Sequence, residues 1–283
     1  GKTKPSPQSL LPLLHTLDRD RGAAKACGKL PSPRNLSNMK QHEAVIETMA
    51  RLGGVATLGQ LYKEVFKIAD CTWQTKTPLA TVRRIVQTRK EIYKIKPGLY
   101  GLSARRRDIE ARGILAETSE NKGSAAVADF GHTYYQGLLL LVGKLKGLGC
   151  WSPNQDKNKM FLNSNLGALR TYESIPRFSY DGLVNRSATV DVIWFNERHM
   201  PNSFFEVEDH SDIQNSLIKF NDLQDFYARM VIVSDATRRR EYERKVKYSS
   251  FRDIAGRIAF LAYGSLVEQY ERAVSLSKME TVL

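Results

Sequence analysis

Three acidic residues in the second half of the chain stand where carboxylates are uncommon. Asp191 interrupts the apolar segment 189–195 (T-V-D-V-I-W-F), and Glu206 and Glu208 alternate within segment 203–208 (S-F-F-E-V-E). An isolated buried carboxylate is costly unless a cation or a hydrogen-bond donor compensates its charge. Mg²⁺ (or Mn²⁺) suits this role, because it takes oxygen ligands and uses one or two carboxylates together with substrate phosphate. The pattern therefore predicts a divalent metal site, unless Asp191 merely ends its strand and the glutamates face solvent at a sheet edge.

The elements that must position these carboxylates follow an α/β pattern. Segment 189–195 is short and β-branched, which is typical of a central strand, and segment 203–208 predicts a second strand whose two glutamates share one face. Further strands are predicted at 230–233 and 257–263, a buried helix at 131–148, and another helix from Ser211. Strands that alternate with helices predict an α/β fold, here a mixed sheet flanked by helices.

The first 120 residues carry a different pattern, three helices followed by a hairpin. Apolar spacing predicts helices in 40–52 and 57–68, and Thr77 followed by Pro78 predicts the start of a third. Segment 92–102 alternates around a Pro-Gly turn and predicts a basic β-hairpin, so the whole is a smaller, mainly α winged-helix domain. Its third helix and hairpin carry donors suited to phosphates and guanine edges: Arg83, Arg84, Gln87, Arg89, Lys90, Lys94 and Lys96. The alternative is a solvated basic face, or a winged helix that docks another partner.

Segment 44–102 also resembles the HARE helix-turn-helix module, a winged helix found fused to restriction-type nucleases and in chromatin-associated proteins. The resemblance rests on G-G-V-A-T-L-G-Q-L at 53–61, T-P-L-A-T-V-R-R at 77–84 and K-P-G-L-Y-G-L at 96–102. It implies that this module binds DNA, with the sensing of base modification as a further expectation.

The second half of the chain, over about residues 130–270, resembles the PD-(D/E)xK nuclease superfamily, to which restriction endonucleases belong. Asp191 stands where that family has the aspartate of its P-D, and the E-V-E that begins 15 residues later stands where it has (D/E)-x-K. Two positions depart from the pattern, because Val190 replaces the proline and Glu208 replaces the lysine. The resemblance implies a restriction-endonuclease-like core.

The same resemblance assigns catalytic roles. It implies that Asp191 and Glu206 bind the metal, with the backbone carbonyl of Val207 as a further ligand. The metal would polarise the scissile phosphate and lower the pKa of a bound water. Glu208 would then act as the general base or orient the attacking water, or Lys219 would supply the missing positive charge from the neighbouring helix.

Two more side chains are candidates for the same site. Gln136 matches a position where relatives carry a Glu or Gln that contacts water on the metal, and the alternative is a packing or capping glutamine. His210 directly follows the acidic strand and would meet the phosphate, and the alternative is a structural histidine.

The charge of the chain favours a polyanionic partner. Its 283 residues include 43 Lys and Arg against 30 Asp and Glu, a net charge of +13. Residues 1–120 hold 22 basic and 11 acidic residues, whereas residues 121–283 hold 21 and 19. Because basic side chains release counterions from phosphates, this balance predicts a nucleic acid that binds chiefly through the first 120 residues. The two resemblances imply that this nucleic acid is double-stranded DNA.

Cysteine content and hydropathy exclude several other classes of protein. Cys27, Cys71 and Cys150 are far apart and form no C-x-x-C pair, which argues against a disulfide scaffold and a structural zinc site. No apolar run approaches the roughly 20 residues of a membrane helix, and no secretory signal is evident. We therefore expect a cytoplasmic protein without a membrane partner.

These observations predict four segments and one leading function. The segments are a flexible or non-native extension at 1–38, a winged helix at 39–103, a linker at 104–128 and a nuclease domain at 129–283. The leading hypothesis is a Mg²⁺-dependent restriction-type endonuclease that cuts duplex DNA, with modification dependence open, and acts as a homodimer because two-strand cleavage needs two active sites. The alternatives are a DNA-binding regulator with an inactive nuclease-like domain, and an enzyme acting on RNA or on branched or single-stranded DNA.

Overall fold

The computed structural model describes residues 39–209 and 211–280, which all belong to one compact unit. The predicted extension 1–38 and His210 lie outside the described residues. The N-terminal region contains α1 (Gln41–Arg51), β1 (Val55–Thr57), α2 (Leu58–Glu64), α3 (Pro78–Thr88), β2 (Ile92–Lys96) and β3 (Leu99–Leu102). Its strands form an antiparallel sheet in the order β1-β3-β2. The three helices and the hairpin expected from the sequence are therefore present.

Local sequence signals explain where these elements begin and turn. The Thr57 hydroxyl accepts a hydrogen bond from the Gln60 amide at 3.1 Å, and the Gln60 side chain accepts one from the Thr57 amide at 2.9 Å. This reciprocal cap satisfies two backbone donors at the start of α2. Pro78 is the first residue of α3, where its missing N–H costs nothing. Gly98 has a φ of +72°, which permits the tight turn between β2 and β3.

The rest of the chain builds a larger α/β structure. In chain order it contains α4 (Arg106–Ala111), α5 (Ala125–Leu145), β4 (Gly149–Trp151), β5 (Met160–Phe161), β6 (Ser164–Asn165), α6 (Leu166–Leu169), α7 (Asp181–Ser187), β7 (Val192–Phe195), β8 (Pro201–Glu208), α8 (Ile213–Asp222), β9 (Arg229–Ser234), α9 (Arg239–Lys245), β10 (Ile258–Ala262) and α10 (Tyr263–Glu280).

Five of these strands form the central sheet, in the order β10-β9-β8-β7-β4. β8, β9 and β10 run parallel to one another, and β7 is antiparallel to both β8 and β4. The sheet is therefore mixed, and helices flank it, which confirms the predicted fold class. Because β7 and β8 are antiparallel, the start of β7 lies beside the end of β8, and this places Asp191 near the two glutamates.

Alternate residues of the central strands serve two different hydrophobic clusters. Val192 and Trp194 join the cluster that contains α5 and α10, whereas Ile193 and Phe195 join the cluster that contains α8. In β8, Phe204 faces the α8 side, so Glu206 and Glu208 share that side by the period of two. Phe205 and Val207 join the other cluster, so the predicted placement of both glutamates on one face of the strand is confirmed.

Several predicted boundaries differ from the structure. The strand expected at 189–195 begins only at Val192, so Asp191 lies in a bend just before it. The helix expected at 131–148 is α5, which begins at Ala125 inside the predicted linker because Ser124 caps it by accepting from the Val127 amide. The helix expected from Ser211 is α8, which begins at Ile213 behind the N-cap residue Asp212.

The N-terminal region packs directly against α5 and α10. Gly98 approaches Val267 so closely that a Cβ there would lie 2.4 Å from its methyl group, and Gly59 approaches the Tyr270 ring in the same way. The Tyr134 hydroxyl donates to the Pro97 carbonyl at 3.0 Å. One continuous hydrophobic cluster covers this contact. The predicted division into domains at 103 and 128 stays a prediction.

Two findings bear on the excluded classes. Within residues 39–209 and 211–280, no helix combines the length and the apolar character needed to cross a membrane. Cys71 and Cys150 are buried free thiols, and Cys27 lies outside the described residues.

Candidate active site

Asp191 is held at the start of β7 by contacts from two directions. Its Oδ2 accepts a hydrogen bond from the Val207 amide at 2.7 Å and lies 3.1 Å from Nε2 of His132. The Asp191 side chain is only 14% exposed. Burial alone would raise the pKa of Asp191, but the contacts with His132 and Val207 outweigh burial and lower it. Asp191 is therefore a fixed, ionised carboxylate.

Glu206 is buried beside Asp191 and pairs with Lys219 of α8. Nζ of Lys219 donates to both carboxylate oxygens of Glu206, at 3.0 and 2.8 Å, and to the Thr189 carbonyl at 2.9 Å. Burial and the charge of Asp191 raise the pKa of Glu206. Burial alone would lower the pKa of Lys219, but Glu206 and Asp191 raise it overall. Lys219 thus pairs directly with Glu206, whereas Asp191 has His132 as its direct partner and feels the charge of Lys219 from farther away.

Glu208 lies on the same face of β8 but has different partners. Its carboxylate oxygens accept hydrogen bonds from Ser211 and Ser216. Oγ of Ser216 also lies 3.0 Å from Oε2 of Glu206, so this serine bridges the two glutamates. The Glu208 carbonyl accepts from Ser234 and from the Tyr263 hydroxyl. Glu208 is thus fixed in place by hydroxyl groups.

Helix α5 contributes a second wall of polar side chains. Gln136, fully buried, donates through Nε2 to Asp156 Oδ2 at 3.0 Å and to the Asp191 carbonyl at 3.3 Å. Its Oε1 is buried and has no hydrogen-bond partner among the described residues. Lys159 pairs with the other oxygen of Asp156 at 3.1 Å. The predicted candidates Asp191, Glu206, Gln136 and Lys219 therefore meet at one end of the sheet.

Sequence reasoning missed His132, Asp156 and Lys159. His132 lies one helical turn before Gln136, so the i, i+4 spacing placed both on one face of α5. That spacing was the available signal for His132. Asp156 and Lys159 lie in an irregular connection between β4 and β5, where no periodic pattern could reveal them.

The described residues offer oxygen ligands in a limited arrangement. Within residues 39–209 and 211–280, no three His, Cys, Asp or Glu side chains form a group that could hold a metal ion. A site with two carboxylates, Asp191 and Glu206, is the most that these side chains provide. Val207 links the two predicted ligand positions. Its amide donates a hydrogen bond to Asp191, and Glu206 precedes it in β8.

The predicted DNA-binding residues lie elsewhere, on α3 and the hairpin. Six of the seven are exposed: Arg83, Arg84, Gln87, Arg89, Lys90 and Lys94. Arg83 pairs with Glu271 of α10 and contacts the Tyr62 hydroxyl at 3.4 Å. The side chain of Lys96 is only 10% exposed and lies 3.9 Å from Glu117. Lys96 is thus enclosed where the hairpin meets the larger structure, whereas the rest of the set is accessible.

Comparison with known proteins gives one match. A family model described as the type II restriction enzyme NmeDI C-terminal domain matches residues 114–282, which is more than half of the chain. The matched range contains the whole Asp191 cluster. Neither the curated proteins nor the solved structures yield a match.

Proposed function

Because the chain belongs to the family of the type II restriction enzyme NmeDI C-terminal domain, we propose that it is a restriction-type endonuclease that hydrolyses phosphodiester bonds of duplex DNA with Mg²⁺ (or Mn²⁺). The observation that carries this proposal is the buried cluster of Asp191, Glu206 and Lys219 where the start of β7 meets the end of β8. Buried charges that are costly to maintain mark functional sites. The spacing of the cluster is that of the PD-(D/E)xK pattern, which supports the same reaction.

The residues present fit a magnesium ion. Asp191 and Glu206 supply two carboxylates, the number that Mg²⁺ commonly uses beside waters and substrate phosphate. The Val207 amide points at Asp191, and the amide and carbonyl of one strand residue point the same way, so its carbonyl is a suitable third ligand. Oε1 of Gln136 is buried and has no hydrogen-bond partner among the described residues, and the same side chain contacts the Asp191 carbonyl. This oxygen is therefore available to accept a hydrogen bond from a water molecule at the site. When bound, Mg²⁺ would polarise the scissile phosphate and favour its attack by water.

Lys219 is our candidate for the role of the lysine that the motif lacks. Its ammonium contacts Glu206, stays protonated because its pKa is raised, and supplies positive charge where negative charge develops on the phosphate. Glu208 is less suited to that place, since its oxygens are occupied by Ser211 and Ser216. The role that remains for Glu208 is to orient the attacking water, which is one of the two roles expected from the sequence. In the structure its carboxylate also orders the segment that begins α8.

The N-terminal region would supply affinity for DNA. We assign it the winged-helix role, with α3 and the hairpin contacting phosphates and base edges through the six exposed residues named above. Their side chains can reach a duplex, because they are exposed and basic or amide in type. Lys96 would contribute less, because its side chain is largely enclosed. Cleavage of unmodified and of cytosine-modified duplexes distinguishes an enzyme that requires a modified base from one that does not.

The central test compares the wild-type chain with Asp191→Ala on duplex DNA. We expect Mg²⁺-dependent cleavage by the wild type, abolished both by EDTA and by the substitution, because the Asp191 carboxylate would hold the ion. Unmodified and cytosine-modified duplexes serve as parallel substrates, and binding of Asp191→Ala to the same DNA shows that the fold is intact. The matched control is Asp181→Ala, which removes an exposed carboxylate of α7 that pairs only with Arg177 among the described residues.

Three outcomes would contradict the proposal in different ways. Cleavage that survives both EDTA and Asp191→Ala would exclude the metal mechanism. Specific binding without cleavage of either duplex would favour the regulator with an inactive nuclease-like domain. Cleavage of RNA or of single-stranded or branched DNA, with duplex DNA left intact, would assign a different substrate to the same cluster.

We also propose that the enzyme acts as a homodimer. The cleavage rate should then rise with the square of the protein concentration when most of the protein is monomeric.

A further inference from the structure

A strongly basic segment lies inside the part of the chain that is otherwise nearly neutral. Residues 238–252 contain seven Lys and Arg and two Glu, whereas the rest of residues 121–283 contains 14 basic and 17 acidic residues. The segment comprises α9 and the turns that follow it. The net positive charge of this half of the chain therefore comes from this one short segment.

The charges of α9 are divided between an inner and an outer side. On the inner side, Lys245 pairs with Asp212 and Glu241, and Arg238 also pairs with Glu241. Tyr242 is buried between them and donates to the Ile258 carbonyl at 2.8 Å. The inner cations Arg238 and Lys245 are therefore neutralised by ion pairs, and these contacts fix the orientation of the helix.

The outer side of α9 and the turn that follows it carry four further exposed cations. They are Arg239, Arg240, Arg244 and Lys247, accompanied by one exposed acid, Glu243, whereas the seventh cation of the segment, Arg252, is exposed farther along the chain. None of these four cations forms an ion pair with another residue of the described ranges. The Arg239 guanidinium lies over the Phe260 ring, 4.7 Å from its centroid, and this contact orients the exposed side chain.

The position of α9 is tied to the candidate active site. Ser234 at the end of β9 is in register with Glu208 at the end of the parallel strand β8. Arg238 then donates to the carbonyls of Asp209 and Ser211, at 3.1 and 2.7 Å, which directly follow the E-V-E sequence. The start of α9 is therefore anchored to the same segment that leaves the carboxylate cluster.

We propose that the outer side of α9 binds the phosphate backbone of the DNA segment that is being cleaved and holds it at the carboxylate cluster. The inference rests on the proposed endonuclease function. Arg239 and Arg244 are separated by about 8 Å along the helix axis, which is close to the axial rise of roughly two nucleotides of one DNA strand, at about 3.4 Å each. Basic groups that lack base-edge geometry position a duplex and do not read its sequence. Residues Arg239, Arg240, Arg244 and Lys247 are thus positioning residues.

The test neutralises three outer cations together, Arg240→Gln, Arg244→Gln and Lys247→Gln, in the full-length chain. Binding of a labelled 30-base-pair duplex is measured in EDTA between 50 and 300 mM salt. A plot of log affinity against log salt has a negative slope, and each lost phosphate contact lowers the magnitude of that slope by about 0.9. We therefore expect the magnitude to fall by roughly 2 to 3. The reduction should be the same for every DNA sequence, because phosphate contacts carry no sequence information.

The matched control neutralises three exposed cations at the opposite end of the sheet, Lys144→Gln, Lys146→Gln and Arg198→Gln. This variant should retain the wild-type slope. A second variant that replaces Arg240 and Arg244 by lysine keeps the charge and should also retain most of the slope. Circular dichroism and thermal melting of each variant establish that its fold is unchanged.

The outcomes separate this inference from the proposed function. If the α9 variant and the wild type share one slope, while the wild type binds and cleaves duplex DNA, the inference is overturned and the endonuclease stands. An equal loss of slope in the control variant also overturns it, because any surface cation would then suffice. If the wild type neither binds nor cleaves duplex DNA, both proposals are overturned. A loss confined to the α9 variant supports the inference.

Discussion

Two charged regions of the molecule, the carboxylate cluster and the surface of α3, differ in how their charges are held. In the cluster every charged side chain is mostly buried and has a defined partner, as Glu206 has in Lys219. On α3 the basic side chains are exposed, and Arg83 is the one that forms an ion pair among the described residues. One region fixes its groups, and the other leaves them free to move.

The difference follows from what each region would have to do. Chemistry on a phosphodiester needs groups held in place before the substrate arrives, because preorganised charges stabilise a transition state without reorganisation. Contact with a backbone needs reach and net charge, and exposed side chains supply both. Substitutions in the cluster should therefore have large effects on the reaction rate, and substitutions on α3 should have small effects on binding.

The largest effect that would sharpen this comparison concerns Lys219. Lys219→Met should lower the cleavage rate by roughly 100-fold or more, because it removes a charge-stabilising group from a buried site. Glu208→Gln should lower it by less than about tenfold, since glutamine can still bond to Ser211 and Ser216. Single-turnover cleavage at saturating DNA measures both rates. Lys219→Arg keeps the charge and serves as the control for its loss.

The reverse ranking would reassign the roles. A loss from Glu208→Gln larger than that from Lys219→Met would show that the acid at the motif's last position performs the catalytic step. Lys219→Met also leaves Glu206 buried without a cation. Because the pKa of Glu206 is already raised, Glu206 can take up a proton in this variant, which would change its charge and the stability of the fold. Thermal unfolding of each variant therefore accompanies the rate measurement.

Much of the fold and the key carboxylates could be predicted from the sequence. The interruption of an apolar strand by Asp191 and the alternation of E-V-E are local patterns, and the structure places both at one end of the mixed sheet. The choice between Glu208 and Lys219 depends on how α8 packs across β8, which no local pattern encodes. The same holds for Asp156 and for the contact between Arg83 and Glu271, each of which joins residues from distant segments.

The second prediction concerns the buried contact between His132 and Asp191. The pKa of His132 is raised: burial alone would lower it, but Asp191 more than compensates. The contact therefore contributes its full stability below the ordinary histidine pKa of 6.5, and loses it as pH rises through the higher folded value. The pKa of Asp191 is lowered, so the same contact is present above 3.8 and is lost only in stronger acid. Stabilisation is greatest between these two ordinary values.

We expect His132→Gln to lower the free energy of unfolding by about 1 to 2 kcal/mol at pH 5.5, with a smaller difference at pH 8.5. Urea unfolding in EDTA at both pH values measures it. His199→Gln, at an exposed position in the turn before β8, is the matched control. A stability difference that grows as pH rises would contradict the assignment of a charged His132 to this contact.

The smallest effect is expected where the two regions resemble each other, at the ion pair of Arg83 and Glu271. The Arg83 side chain is 47% exposed, so solvent screens the pair, and we expect a contribution of about 0.2 to 1 kcal/mol. Burial raises the pKa of Glu271 and Arg83 opposes that rise, so we expect the fold to tolerate the loss of the Glu271 charge.

Glu271→Gln should release Arg83 toward DNA and tighten binding by up to roughly fivefold. Glu268→Gln on the same helix, which pairs with Arg272 at 3.8 Å, should have no such effect. In the background of Arg83→Gln, the gain from Glu271→Gln should vanish, because a double-mutant cycle isolates the coupling between the two side chains. A gain that persists without Arg83 would mean that Glu271 repels DNA directly.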